Sequence, residues 1–159
     1  MNESDNGIQT ISVLHVEDNL DDQIFVVDAL ARYKDARFLL TQVGTLSHAK
    51  RLLDSGQYDV ILLDVKLPDA DAYMTFSGVL RHARTSAIVL LTGFLDDSQI
   101  VRFIRLGADD AVVKGSFNAD ALPRRLLINS IRHQRTTVGE QSLRTLESKF
   151  LTCPGEAHE

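Results

Sequence analysis

The chain contains few of the residues that cross-link or interrupt a protein fold. Its 159 residues include one cysteine, three prolines and no tryptophan. The single cysteine, Cys153, cannot form an internal disulfide, and we expect no cysteine chemistry. The longest uninterrupted apolar run, residues 87–91, is far shorter than the roughly 20 residues that a membrane-spanning helix needs. The sequence therefore predicts a protein without membrane insertion.

Positive charge is also in short supply. Lysine and arginine number 17 against 22 aspartates and glutamates, which gives a formal net charge of −5. Nucleic acid would be repelled on average, so nucleic-acid binding is not expected. Residues 1–7 are polar and acidic, whereas a secretory signal would be basic and then apolar. These features predict a cytoplasmic globular protein.

Short apolar runs alternate along the chain with longer segments whose apolar residues recur at helical spacing. The runs lack polar alternation, which is typical of parallel strands covered by helices on both faces. The predicted strands are residues 12–16, 38–43, 60–63, 87–91 and 111–113. The predicted helices are residues 21–33, 47–53, 72–84, 96–106 and 120–134. This order predicts a doubly wound α/β fold with a five-stranded parallel sheet.

Residues typical of helix ends support these boundaries. Asn19 and Ser47 are suited to cap the first and second helices, because their side chains accept hydrogen bonds from free N–H groups. Gly56 and Gly107 are typical helix terminators. Pro123 fits the fifth helix only within the first turn, where its missing N–H costs nothing.

Polar residues follow four of the predicted strands. In a doubly wound fold, the carboxyl ends of the strands form the usual site edge. The residues expected at that edge are Glu17, Asp18, Asp64, Thr92 and Lys114. Three carboxylates this close repel one another unless one is protonated or a cation lies among them. The set therefore predicts a cation site.

The chemistry of this set favours phosphoryl transfer. Carboxylate oxygens without histidine or cysteine select magnesium, manganese or calcium over zinc, and magnesium also accepts phosphate oxygens. Lys114 adds a cation and Thr92 a hydroxyl donor, which suit an incoming phosphoryl anion. Asp64 then remains as the nucleophile that forms an acyl phosphate.

Four sequence strings in the same order resemble the receiver domain of two-component response regulators. They are residues 16–18 (VED), 62–69 (LLDVKLPD), 90–93 (LLTG) and 107–114 (GADDAVVK). The resemblance covers residues 9–135 and implies a flavodoxin-like fold of the receiver type. It also implies that Asp64 accepts a phosphoryl group from a histidine kinase or phosphotransfer protein. The chain would then be a phosphoacceptor that assists its own phosphorylation and dephosphorylation rather than an enzyme.

The same resemblance implies a role for each site residue. Asp18 and Asp64 would bind Mg²⁺ (or Mn²⁺) directly and Glu17 through water, and the Lys66 carbonyl would complete the protein's share of the ligands. The phosphoryl oxygens would accept hydrogen bonds from Thr92 and Lys114.

Three positions depart from the family pattern. Receivers usually have an aromatic switch residue where this chain has Ala111, proline where it has Gly115, and glycine where it has Ala72. Lys66 and Phe94 lie where side chains overhang the site in this family. A bulky Phe94 predicts a phosphorylated state that outlasts that of fast chemotaxis-type receivers.

Other functions fit less well. A flavodoxin-like cofactor protein would not place four carboxylates within residues 17–22, and a haloacid-dehalogenase-type phosphatase needs an acid where Lys66 stands. The Gly-rich loops of nucleotide-binding proteins are absent from the sequence. The main alternative is a receiver-fold interaction module in which phosphorylation is weak or unused, and Ala111 and Gly115 give it some support.

The predicted organisation has three parts: a flexible N-terminus (1–8), the receiver domain (9–135) and a C-terminal extension (136–159). In the extension, Leu143, Leu146 and Phe150 form one stripe of a short amphipathic helix after Gly139. The predicted partners are a kinase or phosphotransfer protein, a downstream protein target and a second copy of the chain. Reciprocal ion pairs in that homodimer would join Arg102 and Arg105 to Asp109 and Asp110.

Overall fold

The predicted alternation of strands and helices is confirmed in a computed structural model that describes residues 7–116 and 118–151. The strands are β1 (Gln9–Val16), β2 (Ala36–Val43), β3 (Val60–Leu63), β4 (Ala87–Thr92) and β5 (Asp110–Val113). The helices are α1 (Leu20–Ala31), α2 (Leu46–Ser55), α3 (Ala72–His82), α4 (Asp97–Leu106) and α5 (Ala121–Leu151). The strands pair in parallel in the order β2-β1-β3-β4-β5.

Helices cover both faces of this sheet, because successive strand side chains point to opposite sides. In β3, Val60 and Leu62 pack in one buried apolar cluster with residues of α1 and α5. Ile61 and Leu63 pack in a second cluster with residues of α2, α3 and α4. All four β3 side chains are fully buried. The doubly wound α/β fold predicted from the apolar runs is therefore confirmed.

The helix ends agree with most of the sequence predictions. Asn19 caps α1 and accepts a hydrogen bond from the Asp22 N–H, and Gly56 follows the last residue of α2. Gly107 ends α4 at a φ of 126°, a backbone conformation that favours glycine. The prediction for the start of α2 was wrong: Thr45 is the cap instead of Ser47, and its side chain accepts from the His48 N–H.

The fifth helix is much longer than predicted. It runs from Ala121 to Leu151 as one helix of 31 residues, with Pro123 in its first turn as expected. The predicted end at residue 134 and the separate short helix after Gly139 were therefore wrong. One glycine inside a helix costs about 1 kcal/mol relative to alanine. Gly139 therefore weakens α5 without ending it.

The two halves of α5 have different surroundings. Leu122 and Leu126 are buried against the sheet, whereas residues 139–149 are exposed. Between them, Gln134, Thr137 and Val138 line a cavity with residues at the amino-terminal edge of the sheet. None of the helices in the described part of the chain combines the length and apolar composition of a membrane span.

Candidate functional site

The carboxyl-terminal edge of the sheet brings together residues that are far apart in sequence. Backbone hydrogen bonds extend the strand pairing by one residue beyond β3 and β5: Asp64 N–H donates to the Val16 carbonyl at 2.9 Å. Lys114 N–H donates likewise to the Thr92 carbonyl at 3.0 Å. These bonds fix the backbone from which the site side chains project.

The Lys114 ammonium group lies at the centre of this edge. Its Nζ atom is 2.6 Å from Glu17 Oε2, 2.6 Å from Asp64 Oδ2 and 2.7 Å from Asp22 Oδ2. An ammonium group has three N–H donors, so the three carboxylates account for all of them. The contact therefore joins three predicted site residues and adds Asp22.

Burial makes the Glu17 carboxyl group a weaker acid than usual. Its side chain is 1% exposed, and this burial raises the pKa of its carboxyl group to about 7, although hydrogen bonds from Lys114 and the Asn19 N–H oppose the shift. Burial alone would disfavour the Lys114 charge, but the hydrogen bonds to Asp22, Asp64 and Glu17 outweigh it and raise the pKa of Lys114. The site is thus built around a permanent cation and a carboxylate that is costly to ionise.

Asp64 is buried and fixed from two sides. Besides the bond to Lys114, its Oδ1 accepts a hydrogen bond from the Lys66 N–H at 2.8 Å. Asp18 is exposed at the rim of the site. In the part of the chain described, no group of three or more His, Cys, Asp or Glu side chains is arranged to hold a metal ion. The predicted metal set of Glu17, Asp18, Asp64 and the Lys66 carbonyl stays a prediction.

The chemistry of these donors nevertheless fits a hard divalent cation. Carboxylate oxygens are the ligands that magnesium prefers. A divalent cation near Glu17 would stabilise its ionised form, which burial now disfavours. Lys114 holds two of the carboxylates from the predicted set, so its ammonium group is the competitor that such a cation would meet.

Thr92, the last residue of β4, contributes a hydroxyl group to the site, and Phe94 follows it at the site's outer surface. Thr92 is buried, and its Oγ1 accepts a hydrogen bond from the Phe94 N–H at 3.2 Å. The Phe94 side chain is 61% exposed, and Lys66 Nζ lies 4.7 Å from the centre of its ring. This cation–π contact joins the two side chains that were predicted to overhang the site.

Asp22 is the site residue that the sequence interpretation missed. It lies in the first turn of α1, where acidic residues are expected as partners of the helix dipole. Only the packing of α1 against the sheet brings its carboxylate to Lys114. The available signal was its place in the acidic first turn of the helix that directly follows Glu17 and Asp18.

Two glutamines fix α1 next to the site. Gln42 Nε2 donates to the Gln23 carbonyl and to His15 Nδ1, both at 3.0 Å. Gln23 Nε2 donates to the Glu17 carbonyl at 2.6 Å. Burial, together with the Lys114 charge, lowers the pKa of His15 to about 4, so this imidazole is neutral near pH 7. These bonds connect the first turn of α1 to β1 and β2.

Two of the three positions that depart from the family pattern lie at β5 and just after it, and the third, Ala72, is the first residue of α3. Ala111 is half-buried and packs against the apolar cluster on the α2, α3 and α4 side. Gly115 has a φ of 79°, which proline cannot adopt because its ring fixes φ near −65°. The backbone after Lys114 therefore follows a path that excludes proline and favours glycine.

The acids of the predicted dimer contact have partners within the chain. Asp110 accepts two hydrogen bonds from Arg125, at 2.8 and 3.0 Å. Asp109 accepts from the Ile88 N–H at 2.8 Å and lies 3.1 Å from His133 Nδ1. The reciprocal pairing with Arg102 and Arg105 would have to replace these bonds.

Comparison with known protein families identifies a match over most of the chain. The model of the response regulator receiver domain matches residues 13–127. The transcriptional regulatory protein PcoR of Escherichia coli is 33% identical over 84 residues, which are 52% of this chain and 37% of PcoR. The transcriptional activator protein IrlR of Burkholderia pseudomallei is 39% identical over 61 residues, 38% of this chain and 26% of IrlR. The chain thus covers about a third or less of each of these relatives.

Solved structures share the fold. A signal receiver domain from Vibrio parahaemolyticus superposes with a TM-score of 0.72 and 23% identity, covering 82% of this chain and 98% of that domain. The receiver domain of the sensor histidine kinase PA1611 from Pseudomonas aeruginosa PAO1 superposes with a TM-score of 0.64 and 25% identity. The match covers 76% of this chain and 98% of that domain. That structure has a magnesium ion coordinated in its active site cleft.

Proposed function

Because the chain belongs to the response regulator receiver domain family, we propose that Asp64 accepts a phosphoryl group from a histidine kinase or a histidine phosphotransfer protein. The observation that carries the proposal is the 2.6 Å contact between Lys114 Nζ and Asp64 Oδ2 in a buried site. A downstream protein target would then read the phosphorylated state by direct contact.

The transfer makes one bond and breaks one bond. An Asp64 carboxylate oxygen attacks the phosphorus atom, and the bond between phosphorus and the donor imidazole nitrogen breaks with its electron pair left on the nitrogen. Lys114 and the Thr92 hydroxyl can donate hydrogen bonds to the phosphoryl oxygens, which stabilises the charge that develops there. A bound divalent cation supplies the remaining neutralisation between the carboxylate and the phosphoryl anion.

Magnesium, or manganese in its place, is the cation of this proposal. Asp18 and Asp64 would bind it directly, Glu17 through water, and Lys66 through its carbonyl oxygen. Support comes from the hard oxygen donors of Glu17 and Asp64, and from the magnesium-containing Pseudomonas receiver domain described above. Lys114 would give up its present contacts with these carboxylates as the cation binds.

On this proposal the chain acts on its own carboxylate, so it is a phosphoacceptor rather than an enzyme with a separate substrate. The alternative, an interaction module that makes no use of phosphorylation, is not favoured, because the chain belongs to the receiver family and its acids converge on Lys114. The kinase or phosphotransfer partner, the downstream target, the homodimer and the cytoplasmic location stay predictions.

The test uses acetyl phosphate with magnesium and the mass of the intact chain. The wild type should gain the mass of one phosphoryl group, and Asp64→Asn should gain none. Asp28→Asn, at an exposed position of α1, is the matched control and should behave as the wild type. An unmodified wild type, or an Asp64→Asn variant modified at the wild-type rate, would contradict the proposal.

A further inference from the structure

In this structure the Lys114 ammonium group has no N–H donor left for a phosphoryl oxygen. All three of its N–H donors are directed to carboxylates: Glu17, Asp22 and Asp64. A phosphoryl oxygen on Asp64 can receive a hydrogen bond from Lys114 only if one of these bonds is given up. Glu17 and Asp64 also have a second role as carboxylates of the proposed cation site, whereas Asp22 has none in the function proposed above.

Asp22 differs from the other two acids in its surroundings. Its side chain is 38% exposed, against 1% for Glu17 and 8% for Asp64. It also borders a cavity of about 260 Å³ with Phe25, Leu91, Lys114 and Gly115. The Asp22–Lys114 pair therefore has water and free volume on one side, so it is the easiest of the three bonds to break.

The backbone of Asp22, in contrast, is held in place. Asn19 accepts a hydrogen bond from the Asp22 N–H at 3.0 Å, and Gln42 holds the carbonyl of the next residue, Gln23, also at 3.0 Å. The fixed backbone thus places the Asp22 carboxylate near Lys114, and the bordering cavity leaves space into which the side chain can turn.

We propose that Asp22 is a positioning residue: it holds the Lys114 ammonium group in a resting position when the cation takes Glu17 and Asp64, and it competes with a phosphoryl oxygen for Lys114. This inference rests on the proposed function of Asp64. It assigns two opposite electrostatic effects to one carboxylate. The Asp22 charge attracts a divalent cation to the site, and it repels the phosphoryl anion while it competes for Lys114.

The test measures magnesium affinity and phosphorylation rate, which the loss of the Asp22 charge should change in opposite directions. In Asp22→Asn, the magnesium affinity should fall by about three- to tenfold, because one unit charge a few ångströms away is lost. The rate of phosphorylation by acetyl phosphate at saturating magnesium should rise by a similar factor. A merely structural role of Asp22 in α1 would lower both quantities together. Magnesium binding is measured by titration calorimetry and phosphorylation by intact mass.

Two further variants test whether the effect depends on the position of the Asp22 carboxylate or only on the charge of this helical turn. Asp21→Asn removes a charge from the same helical turn at an exposed position, and both effects should be clearly smaller. Asp22→Glu keeps the charge and should restore both values towards the wild type. If Asp22→Asn changed neither quantity, or reduced both, the proposal would be overturned.

A third measurement does not depend on phosphorylation. Three hydrogen bonds should slow hydrogen exchange of the Lys114 ammonium group, so its ¹⁵N–¹H signal should be visible in the wild type and weakened in Asp22→Asn. An identical signal in both proteins would overturn the resting ion pair. If the wild type took up no phosphoryl group but this signal responded to Asp22→Asn, the proposed function would fail and the ion pair would stand.

Discussion

Both edges of the parallel sheet carry acidic side chains, but these acids have different partners. At the amino-terminal edge, Asp59 accepts hydrogen bonds from the N–H and hydroxyl groups of Ser12 at 2.8 and 3.1 Å. Asp109 accepts from the Ile88 N–H at 2.8 Å. At the carboxyl-terminal edge, Glu17 and Asp64 contact the Lys114 ammonium group. At both edges each acid also accepts a hydrogen bond from one backbone N–H, but only at the carboxyl-terminal edge do the two acids share one charged partner, the Lys114 ammonium group.

This difference separates stability from reactivity. At the amino-terminal edge the partners Ser12 and Ile88 lie within β1 and β4 and are fixed by the sheet, so Asp59 and Asp109 cannot leave them without local unfolding. A lysine side chain can rotate, so the acids bonded to it can exchange one partner for another. Aspartates of the same chemical type can therefore hold the amino-terminal edge together and keep the carboxyl-terminal edge ready to react.

The largest expected effect is at the mobile cation. Lys114→Met keeps much of the length of the side chain and removes its charge and its donors. We expect the rate of phosphorylation by acetyl phosphate to fall by about 10²–10³-fold, as for loss of one donor in a preorganised site. The rate is followed by intact mass. Lys34→Met, at an exposed position, is the control. Equal phosphorylation rates in the two variants would contradict the role of Lys114 at the carboxyl-terminal edge.

The next effect is at the amino-terminal edge. Asp59→Ala leaves the N–H and hydroxyl groups of Ser12 without their acceptor, so the free energy of unfolding should fall by about 1–3 kcal/mol. Urea denaturation measures this loss. The phosphorylation rate of the folded variant should match the wild type, because Asp59 lies at the other end of β3. A slower rate at full occupancy of the folded state would show that the two edges are coupled.

A smaller effect concerns pH and Glu17. Burial raises the pKa of its carboxyl group from the ordinary 4.5 to about 7, so the folded state binds its proton more tightly than the unfolded state. This contribution to stability is complete below pH 4.5 and is lost as the pH rises towards 7. Glu17→Gln, which stays neutral, should therefore gain stability relative to the wild type over this range.

The measurement is the difference in melting temperature between Glu17→Gln and the wild type, taken from pH 4.5 to 8 without divalent cation. His15, with its pKa lowered to about 4, contributes a slope of the opposite sign to both proteins, so the difference isolates Glu17. A difference that is constant with pH would contradict the raised pKa. Added magnesium should reduce the advantage of the variant, since the cation stabilises ionised Glu17.

The smallest expected effect is on the lifetime of the phosphorylated state. Phe94→Ser removes the ring that Lys66 covers at 4.7 Å, which should open the site to the attacking water. We expect dephosphorylation to become several times faster, measured as loss of the phosphoryl mass after removal of the donor. Tyr73→Ser, at another exposed aromatic position, should leave the rate unchanged. An unchanged rate in Phe94→Ser would remove the predicted role of the ring.

The sequence predicted the location of those site residues that stand at the end of a strand or immediately after it. Asp64 comes immediately after the four apolar residues of β3, and Thr92 and Lys114 lie at the ends of β4 and β5. Their shared location depends only on parallel pairing, which the apolar runs already indicated. The fold and the meeting of Glu17, Asp64 and Lys114 could therefore be predicted without coordinates.

The remaining features depend on packing that local patterns do not contain. Asp22 reaches Lys114 through the packing of α1 against the sheet, where Gln42 of β2 donates a hydrogen bond to the Gln23 carbonyl. The length of α5 depends on whether the helix-forming residues on both sides of Gly139 outweigh one unfavourable glycine. The partners of Asp109 and Asp110 lie on α5 and β4, so their engagement could not be inferred from their own segment.

The long α5 also has a mechanical consequence. At 1.5 Å per residue, residues 139–151 extend the helix by about 20 Å beyond its last contacts with the amino-terminal edge of the sheet. A tilt of about 10° where α5 leaves the sheet would displace the far end by roughly 3 Å. This exposed half is a lever arm, and it would convert a small change in the packing of α5 into a movement large enough for another molecule to detect.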